Sequence, residues 1–272
     1  MLRPNPIMLK YLFSALILLV FLSSTSFAQD SKKKKEEKRR VYFTWGWNKD
    51  WFTQSNLHFS DPTTGYNFTL YNVTAHDRPQ YSYLPTGFED FSIPQYGYRL
   101  GWYFKNHPND GIEINFDHTK YVMDSVQMVH LKGTIYESYY DVDTVITKEF
   151  LKFEHTNGAN FYLLNYFKSM PLFTSKNFSI SVFGKGGAGV VIPKTDVTLF
   201  GHRLDNRYHV AGWLVGVESD VRFLFFSHAY IELGGKAAFA DYMNVLVMGD
   251  GHAHHSFGAL EAIWGIGYQA AF

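Results

Sequence analysis

The chain has 272 residues, no cysteine, a formal net charge of zero and 18% aromatic residues. The absence of cysteine excludes a disulfide framework, a thiolate metal site and a lipidated N-terminal cysteine. Charged residues make up only 18% of the chain, against about a quarter in ordinary soluble proteins. The composition therefore favours a β-barrel whose outer wall faces lipid over a water-soluble domain.

Residues 1–28 have the features of a secretory signal peptide. Arg3 and Lys10 supply positive charge, residues 12–22 form an apolar run, and Ser26 to Ala28 form a small-x-small cleavage site. The apolar run is short for a membrane helix, which needs roughly 20 residues, so a retained anchor is the less favoured alternative. We predict an exported protein that is cleaved near Ala28.

Residues 29–40 are predicted to form a basic periplasmic leader. Between Ser31 and Arg40 there are seven basic and two acidic side chains, whereas residues 41–272 hold 16 basic and 22 acidic ones. A run of this kind is usually solvated, but it could also contact anionic lipid headgroups. Both interpretations stay open; an exported protein would not meet nucleic acid.

Residues 41–272 show the alternation of apolar and polar positions that is typical of strands in a transmembrane barrel. In residues 260–272, for example, every even-numbered position is apolar, whereas the odd ones include Glu261, Gly265 and Gln269. The pattern predicts an all-β, antiparallel up-and-down transmembrane β-barrel with eight strands, near residues 41–50, 92–106, 111–124, 149–168, 177–192, 208–225, 229–244 and 256–272.

The predicted connections alternate in length, which is typical of a barrel with short periplasmic turns and long external loops. The short ones are residues 107–110, 171–176 and 226–228, and the long ones are residues 51–91, 125–148, 193–207 and 245–255. A parity switch in the fourth strand predicts a bulge or break near residues 156–158. Strand-like residues 66–75 and a possible hairpin over residues 126–136 and 142–150 leave ten strands as the alternative.

The inward-facing positions of these strands carry many charges. An eight-stranded barrel is just wide enough to be filled by side chains, and unpaired buried ions are costly. We therefore predict a lumen plugged by paired charges, with a small gated pore as an alternative. The predicted lumen network consists of Arg99, Lys105, Glu113, Asp117, Lys185, Glu218, Asp220, Arg222, Glu232, Lys236 and Glu261.

The end of the chain carries a family resemblance. The amphipathic last strand, with Trp264, Tyr268 and the terminal Phe272, resembles the C-terminal signal that the barrel-assembly machinery of Gram-negative bacteria reads. The strand architecture of residues 41–272 resembles the small outer-membrane barrels of the OmpA transmembrane domain and OmpX type, and the aromatic richness and long first loop resemble barrels from Bacteroidetes. The resemblance implies a monomeric outer-membrane barrel in contact with lipid and lipopolysaccharide, with no enzyme activity and no cofactor.

One segment suggests chemistry. Residues 153–160 resemble the His-x-Ser-Asn-Ala-Gly stretch of lipid A 3-O-deacylases, with His155 in the position of the base and Thr156 and Glu154 beside it. The departure is that Thr156-Asn157 replaces the x-Ser pair, so the serine nucleophile is missing. Neighbouring side chains of a strand also point to opposite faces, so Thr156 could approach His155 only at a bulge. A lipid A-modifying hydrolase is therefore an alternative hypothesis.

A second candidate is the histidine cluster in the last predicted external loop. His252 and His254 would share one face of an extended segment, His255 follows directly, and imidazole suits zinc, copper or nickel. The simpler interpretation, that these histidines are solvated loop residues, is favoured over a metal site. The sequence as a whole predicts a structural or surface-interaction barrel that acts through its external loops on a partner that it does not identify.

Overall fold

A computed structural model describes residues 39–79 and 95–272, and these residues are folded into β-strands, turns and irregular loops. No helix within these two ranges is long and apolar enough to cross a membrane. The predicted signal peptide, most of the basic leader and residues 92–94 of the second predicted strand lie outside the described residues.

One sheet closes into a ring of antiparallel pairings in which each strand pairs with the next and the last pairs with the first. With strands numbered in chain order, the ring runs through β1 (Arg40–Phe52), β5 (Tyr96–Phe104), β6 (His107–His118), β11 (Phe161–Thr174), β12 (Phe178–Val191), β15 (Gly212–Phe225), β16 (Ala229–Leu246) and β17 (His252–Ala271). Closure leaves the ring without an unpaired edge, and the all-β barrel class that the sequence predicts is confirmed.

The two ends of the ring differ in what connects the strands. At one end, the turn end, lie tight turns and both ends of the barrel segment, where Arg39 and Phe272 exchange two backbone hydrogen bonds of 2.9 Å. At the other end three of the four connections are long, and the fourth, between β16 and β17, is residues 247–251. The strands β5 and β6 meet at Lys105-Asn106, so residues 107–110, predicted to be a turn, belong to β6 instead.

The strand pleat separates two environments along the ring. In β1, Phe43 and Trp45 are more than 40% exposed on the outer face, whereas Tyr42 and Thr44, which point into the lumen, are nearly inaccessible. Exposed aromatic rings concentrate at both rims, and exposed aliphatic residues lie between them. The rings are Phe104, Phe173, Phe226, Tyr268 and Phe272 at the turn end and Trp51, Trp213 and Phe239 at the other end.

Beyond the second rim, the long connections form a folded head, defined here as the described residues 53–79, 119–160, 192–211 and 241–258. Four strands continue the ring's sheet from β17: β2 (Ser55–Asp61), β3 (Tyr66–Val73), β8 (Gln127–Ile135) and β9 (Ser138–Ile146). A second sheet has the order β14 (His202–Asp205), β13 (Asp196–Leu199), β10 (Leu151–His155), β7 (Tyr121–Met123) and β4 (Ala75–Asp77).

The head has an apolar core of its own, built from the inward faces of both sheets. Leu57, Phe59, Phe68, Leu151 and Phe153 are all 1% exposed or less. Burying one such side chain contributes roughly 1.5–3 kcal/mol, so the head is a packed layer rather than a set of solvated loops. The predicted hairpin over residues 126–150 is present in it as β8 and β9.

The single strand predicted over residues 149–168 is wrong, because the structure divides it between two sheets. Residues of β10 belong to the head and residues of β11 to the ring. The chain turns between them at residues 156–160, where Gly158 and Asn160 have φ of 112° and 43°. The predicted break near residues 156–158 is thus confirmed, and it is the point where the chain passes from head to barrel.

Candidate functional site

The middle of the lumen is organised around one ammonium group. The Nζ atom of Lys185 lies 2.7 Å from Glu218, 2.9 Å from Asp220, 3.0 Å from Glu113 and 3.5 Å from Glu232, and all five side chains are inaccessible or nearly so. Strands β6, β12, β15 and β16 supply these groups, so Lys185 links strands that are not all neighbours in the ring.

The same carboxylates could in principle hold a metal ion. Oxygen atoms of Glu218, Asp220 and Glu232 all lie within 4.8 Å of one another. The ammonium of Lys185, however, contacts all three carboxylates, so a cation already occupies their centre. The geometry is that of a charge-paired filling and not of an open metal site.

Towards the head, two further bases bridge acids from other strands. Arg99 donates two hydrogen bonds to Glu218, of 3.1 and 3.0 Å, and its guanidinium lies 3.1 Å from Asp117. Lys236 contacts Asp117 and lies 3.4 Å from Glu261. Arginine suits this position because its planar fork can serve two carboxylates at once.

At the turn end the lumen is closed by an arginine enclosed in aromatic rings. The guanidinium carbon of Arg222 lies 4.0–4.1 Å from the ring centres of Tyr42, Phe183 and Tyr230, and its Nη2 atom is 2.6 Å from Glu232. Tyr42 also donates a 2.6 Å hydrogen bond to Glu113. Cation–π contacts strengthen when they are desolvated, so the contacts of Arg222 with the three rings stabilise this layer.

Ten of the residues predicted for the lumen network are buried inside the ring, but Lys105 is not. Lys105 occupies the turn between β5 and β6, where the chain has left the barrel, and its side chain is exposed. The sequence also missed Asp50, which is buried at the head end of the lumen and accepts hydrogen bonds from Asn48 and Gln95. The described lumen therefore holds seven acids and four bases.

His155 lies in the core of the head, against another histidine. Its Nε2 atom is 3.0 Å from Nε2 of His255, and its Nδ1 atom is 2.8 Å from the Thr195 hydroxyl. Both imidazoles are buried. Burial lowers the pKa of His155 to about 3, and burial followed by the charge of His155 holds the pKa of His255 well below its usual range.

This arrangement differs from a hydrolytic site. The hydroxyl that bonds to His155 belongs to Thr195, which directly precedes β13, and not to the adjacent Thr156. Glu154 points to the other face of β10, where it forms ion pairs with Lys152 and Arg78. Among the described residues, neither ring nitrogen of His155 bonds to a carboxylate.

The predicted histidine cluster is divided between two faces of β17. His255 points into the head core, whereas His252 and His254 lie exposed on the outer face. His254 is 2.6 Å from Asp241, and the residue directly opposite it on β2 is His58. Burial and the charge of His254 lower the pKa of His58. The sequence offered no means of pairing positions 58 and 254.

A further polar group lines an exposed cavity of about 650 Å³ on the head. His76 Nδ1 lies 2.7 Å from Asp124, and the Thr74 hydroxyl donates a 2.6 Å hydrogen bond to the same carboxylate.

The residues proposed as the barrel-assembly signal lie on β17 and at its end, with Tyr268 and Phe272 exposed on the outer face.

No protein-family model and no curated protein matches the chain. Similar solved structures include the attachment invasion locus protein Ail of Yersinia pestis, with a TM-score of 0.33, 10% identity and coverage of 87% of this chain and 100% of Ail. The outer membrane protease OmpT of Escherichia coli gives a TM-score of 0.40 and 9% identity over 90% of this chain and 100% of OmpT. OprG of Pseudomonas aeruginosa gives 0.33 and 12% over 86% of this chain and 97% of OprG.

These proteins are small bacterial outer-membrane β-barrels, but at such identities and TM-scores the likeness carries no argument about a role. The fold assignment stands on the closed ring of strand pairings. The chain is an all-β protein whose closed antiparallel sheet resembles outer-membrane barrels.

Proposed function

We propose that this chain is an integral protein of the bacterial outer membrane, with the ring in the bilayer, the lumen closed by ion pairs and the head outside the cell as a surface for interaction. The observation that carries the proposal is the division of the ring into an apolar outer face and a charged, buried inner face. A water-soluble barrel would show the opposite pattern, with its apolar side chains inside.

The two aromatic rims support the placement in a bilayer. Transmembrane barrels carry aromatic girdles at both interfaces, with an apolar band between them. Here Leu233 and Ile266 are 49% and 59% exposed between rims that contain Phe239 and Tyr268. Both termini of the barrel segment lie at the turn end, which suits a periplasmic turn end and an external head.

The filled lumen favours a scaffold over a pore. Lys185, Arg99 and Arg222 cross-link the interior with charged contacts from several strands. Removing one partner of a buried pair leaves an uncompensated charge and costs about 3–5 kcal/mol, so these groups would not part readily to admit ions. The function would then reside in the head. The barrel that carries the head would be a monomer in contact with lipopolysaccharide.

The interaction role rests on the exposed face of the β8–β9 hairpin. Met128, Tyr139 and Val145 are 48–65% exposed there, and β9 is the edge strand of its sheet. Apolar exposure of this kind outside a bilayer is typical of interaction surfaces. The lipid A hydrolase alternative is not favoured, because His155 is buried in the head core with Thr195 and His255 as its partners.

The placement can be tested by single-cysteine labelling, because the chain has no cysteine of its own. Ser138→Cys places a thiol on the head and Ser227→Cys places one in a turn at the opposite end; both positions are exposed. In intact cells, a membrane-impermeant maleimide should label S138C and not S227C, whereas both should react after lysis. Equal labelling of the two variants in intact cells would contradict the proposed orientation.

The closed lumen can be tested by conductance in planar bilayers. The wild-type protein should give no stepwise currents, whereas Arg222→Ala, which removes the side chain enclosed by the turn-end rings, should give small steps. Heat-modifiable migration on gels shows that each preparation is folded. Reproducible steps from folded wild-type protein would support the pore alternative instead.

A further inference from the structure

The sheet of the ring and the sheet of the head meet at a short seam. There β17 pairs with β2 through three residue pairs, His252 with Ser60, Ala253 with Phe59 and His254 with His58. The preceding strand pair, β16 with β17, extends over most of both strands. The seam is thus a weak junction in an otherwise continuous sheet, and two histidines lie directly opposite each other across it.

Each of these histidines has one ring nitrogen held by a partner on the side away from the seam. Nδ1 of His58 is 3.0 Å from the hydroxyl of Thr69, on β3. Nε2 of His254 is 2.6 Å from the carboxylate of Asp241, on β16. Both rings are thereby oriented by groups that lie on opposite sides of the pair.

The position of the other two nitrogens follows from the shape of imidazole. The Nδ1 and Nε2 atoms lie on opposite sides of the axis that joins the ring to its Cβ atom. With Nδ1 of His58 turned towards β3, its Nε2 lies on the side of β17; with Nε2 of His254 turned towards β16, its Nδ1 lies on the side of β2. Each remaining nitrogen therefore lies on the side of its ring that is turned towards the seam.

We propose that His58 and His254 form a binding site for a divalent transition-metal ion of the zinc, copper or nickel class on the outer face of the head. Directly opposed residues of an antiparallel pair have Cβ atoms about 4.5–5.5 Å apart, a spacing that lets two imidazoles share one ion. Thr69 and Asp241 have the position of outer-shell groups, which fix the orientation of ligating histidines and raise their basicity.

This site differs from the histidine cluster that the sequence offered as a less favoured candidate, since His255 faces the core and His58 takes its place. It also differs from an ordinary solvated histidine of the same sheet. His130, on β8, has both ring nitrogens engaged, at 2.9 Å from Asp141 and 2.8 Å from Asp143. That residue therefore serves as an internal control with similar exposure and no free ring nitrogen.

A metal ion at this position would cross-link β2 and β17. Because the seam has three residue pairs, an added bond between its strands would stabilise the attachment of the head to the barrel. The inference concerns the head's own geometry, and it stands whether or not the lumen conducts ions.

The test is a titration of the detergent-solubilised full chain with zinc chloride, and separately with nickel chloride, by isothermal calorimetry. The wild-type protein should bind about one ion, and His58→Asn and His254→Asn should each lower the affinity at least tenfold. Asp241→Asn should lower it about 10- to 100-fold, as expected for an outer-shell partner. His130→Asn, the matched control, should bind like the wild type.

A second readout separates a lost ligand from a lost fold. Zinc should raise the temperature at which the wild-type head becomes sensitive to protease, EDTA should reverse the shift, and the shift should be absent in the H58N/H254N double variant. Two results would overturn the proposal: no binding by the wild type at millimolar zinc or nickel, or unchanged binding by a folded double variant.

Discussion

At the scale of single residues, the histidine pair in the head shows how burial changes the chemistry of a side chain. The Nε2 atoms of His155 and His255 are 3.0 Å apart in an apolar core. A hydrogen bond between them requires one nitrogen to donate and the other to accept, so at least one ring must be neutral. Protonating both would place two positive charges in contact away from water. The folded head is therefore more stable at neutral pH than at acidic pH.

We expect the stability of the head to fall as the solution becomes acidic. The pKa of His155 is lowered to about 3, mainly by burial, whereas an unfolded histidine titrates near 6.5. Between these values the unfolded chain binds more protons than the folded one, so stability is complete above about pH 6.5 and declines below it. Within this range, each such histidine lowers the free energy of unfolding by about 1.4 kcal/mol for every pH unit of acidification.

Proteolysis of the detergent-solubilised protein at pH 7.5 and 4.5 would check this expectation. The wild-type head should be cleaved faster at the lower pH, and His155→Gln/His255→Gln should reduce the pH dependence even if it weakens the head at both values. His202→Gln, at an exposed position, is the control and should behave like the wild type. Equal resistance of the wild type at both pH values would rule out a titrating pair.

The sequence could single out His155 but not its surroundings. The local pattern over residues 153–160 indicates both the imidazole and the break after it. In the structure the imidazole is buried in the head core, and the break is where the chain passes from head to barrel. Its partners, Thr195 and His255, are 40 and 100 positions away along the chain. No local pattern specifies such contacts, because they depend on how two sheets pack.

At the scale of elements, strands were predictable wherever one face is apolar and exposed and the other is buried in the lumen. In β1 and β17 the alternation is regular, and the inward and outward sets agree with the exposure of the side chains. The head strands were harder to predict, because their outer face meets water and their inner face meets a second sheet. In β9, for example, most side chains are exposed and no strong alternation remains.

The error over residues 149–168 has the same origin. Both β10 and β11 have apolar residues at alternating positions, and only the parity switch between them indicated a discontinuity. A bulge and a passage between two sheets give the same parity signal in sequence. The structure settles the matter by placing β10 and β11 in different sheets; the sequence could not, because asparagine and glycine occur in bulges and turns alike.

At the scale of the whole molecule, two cores with opposite chemistry are stacked along one axis. The head is held together by apolar burial around Phe59 and Phe153, whereas the ring is filled by charged groups around Lys185. Under the proposed placement in a bilayer, this division follows from the surroundings of each part. Where lipid covers the outer face, polar side chains can be sequestered inside, and where water covers it, apolar ones must be.

The boundary between the two parts predicts how each will tolerate a new charge. Leu233 lies on the outer face of β16, between the two aromatic rims, and is 49% exposed; Val126, on the head, is 69% exposed. Leu233→Arg should destabilise the protein in vesicles by about 2–4 kcal/mol, the cost of an arginine near the middle of a bilayer, whereas Val126→Arg should have little effect.

Refolding into lipid vesicles from urea, followed by heat-modifiable migration, measures both variants against the wild type. The expected outcome is a lower folded fraction and a lower urea midpoint for L233R alone. Both positions carry an exposed aliphatic side chain, and the proposal places only Leu233 in contact with lipid. If L233R and V126R refolded equally well, the outer face of the ring would have to meet water, and the bilayer placement of the barrel would be wrong.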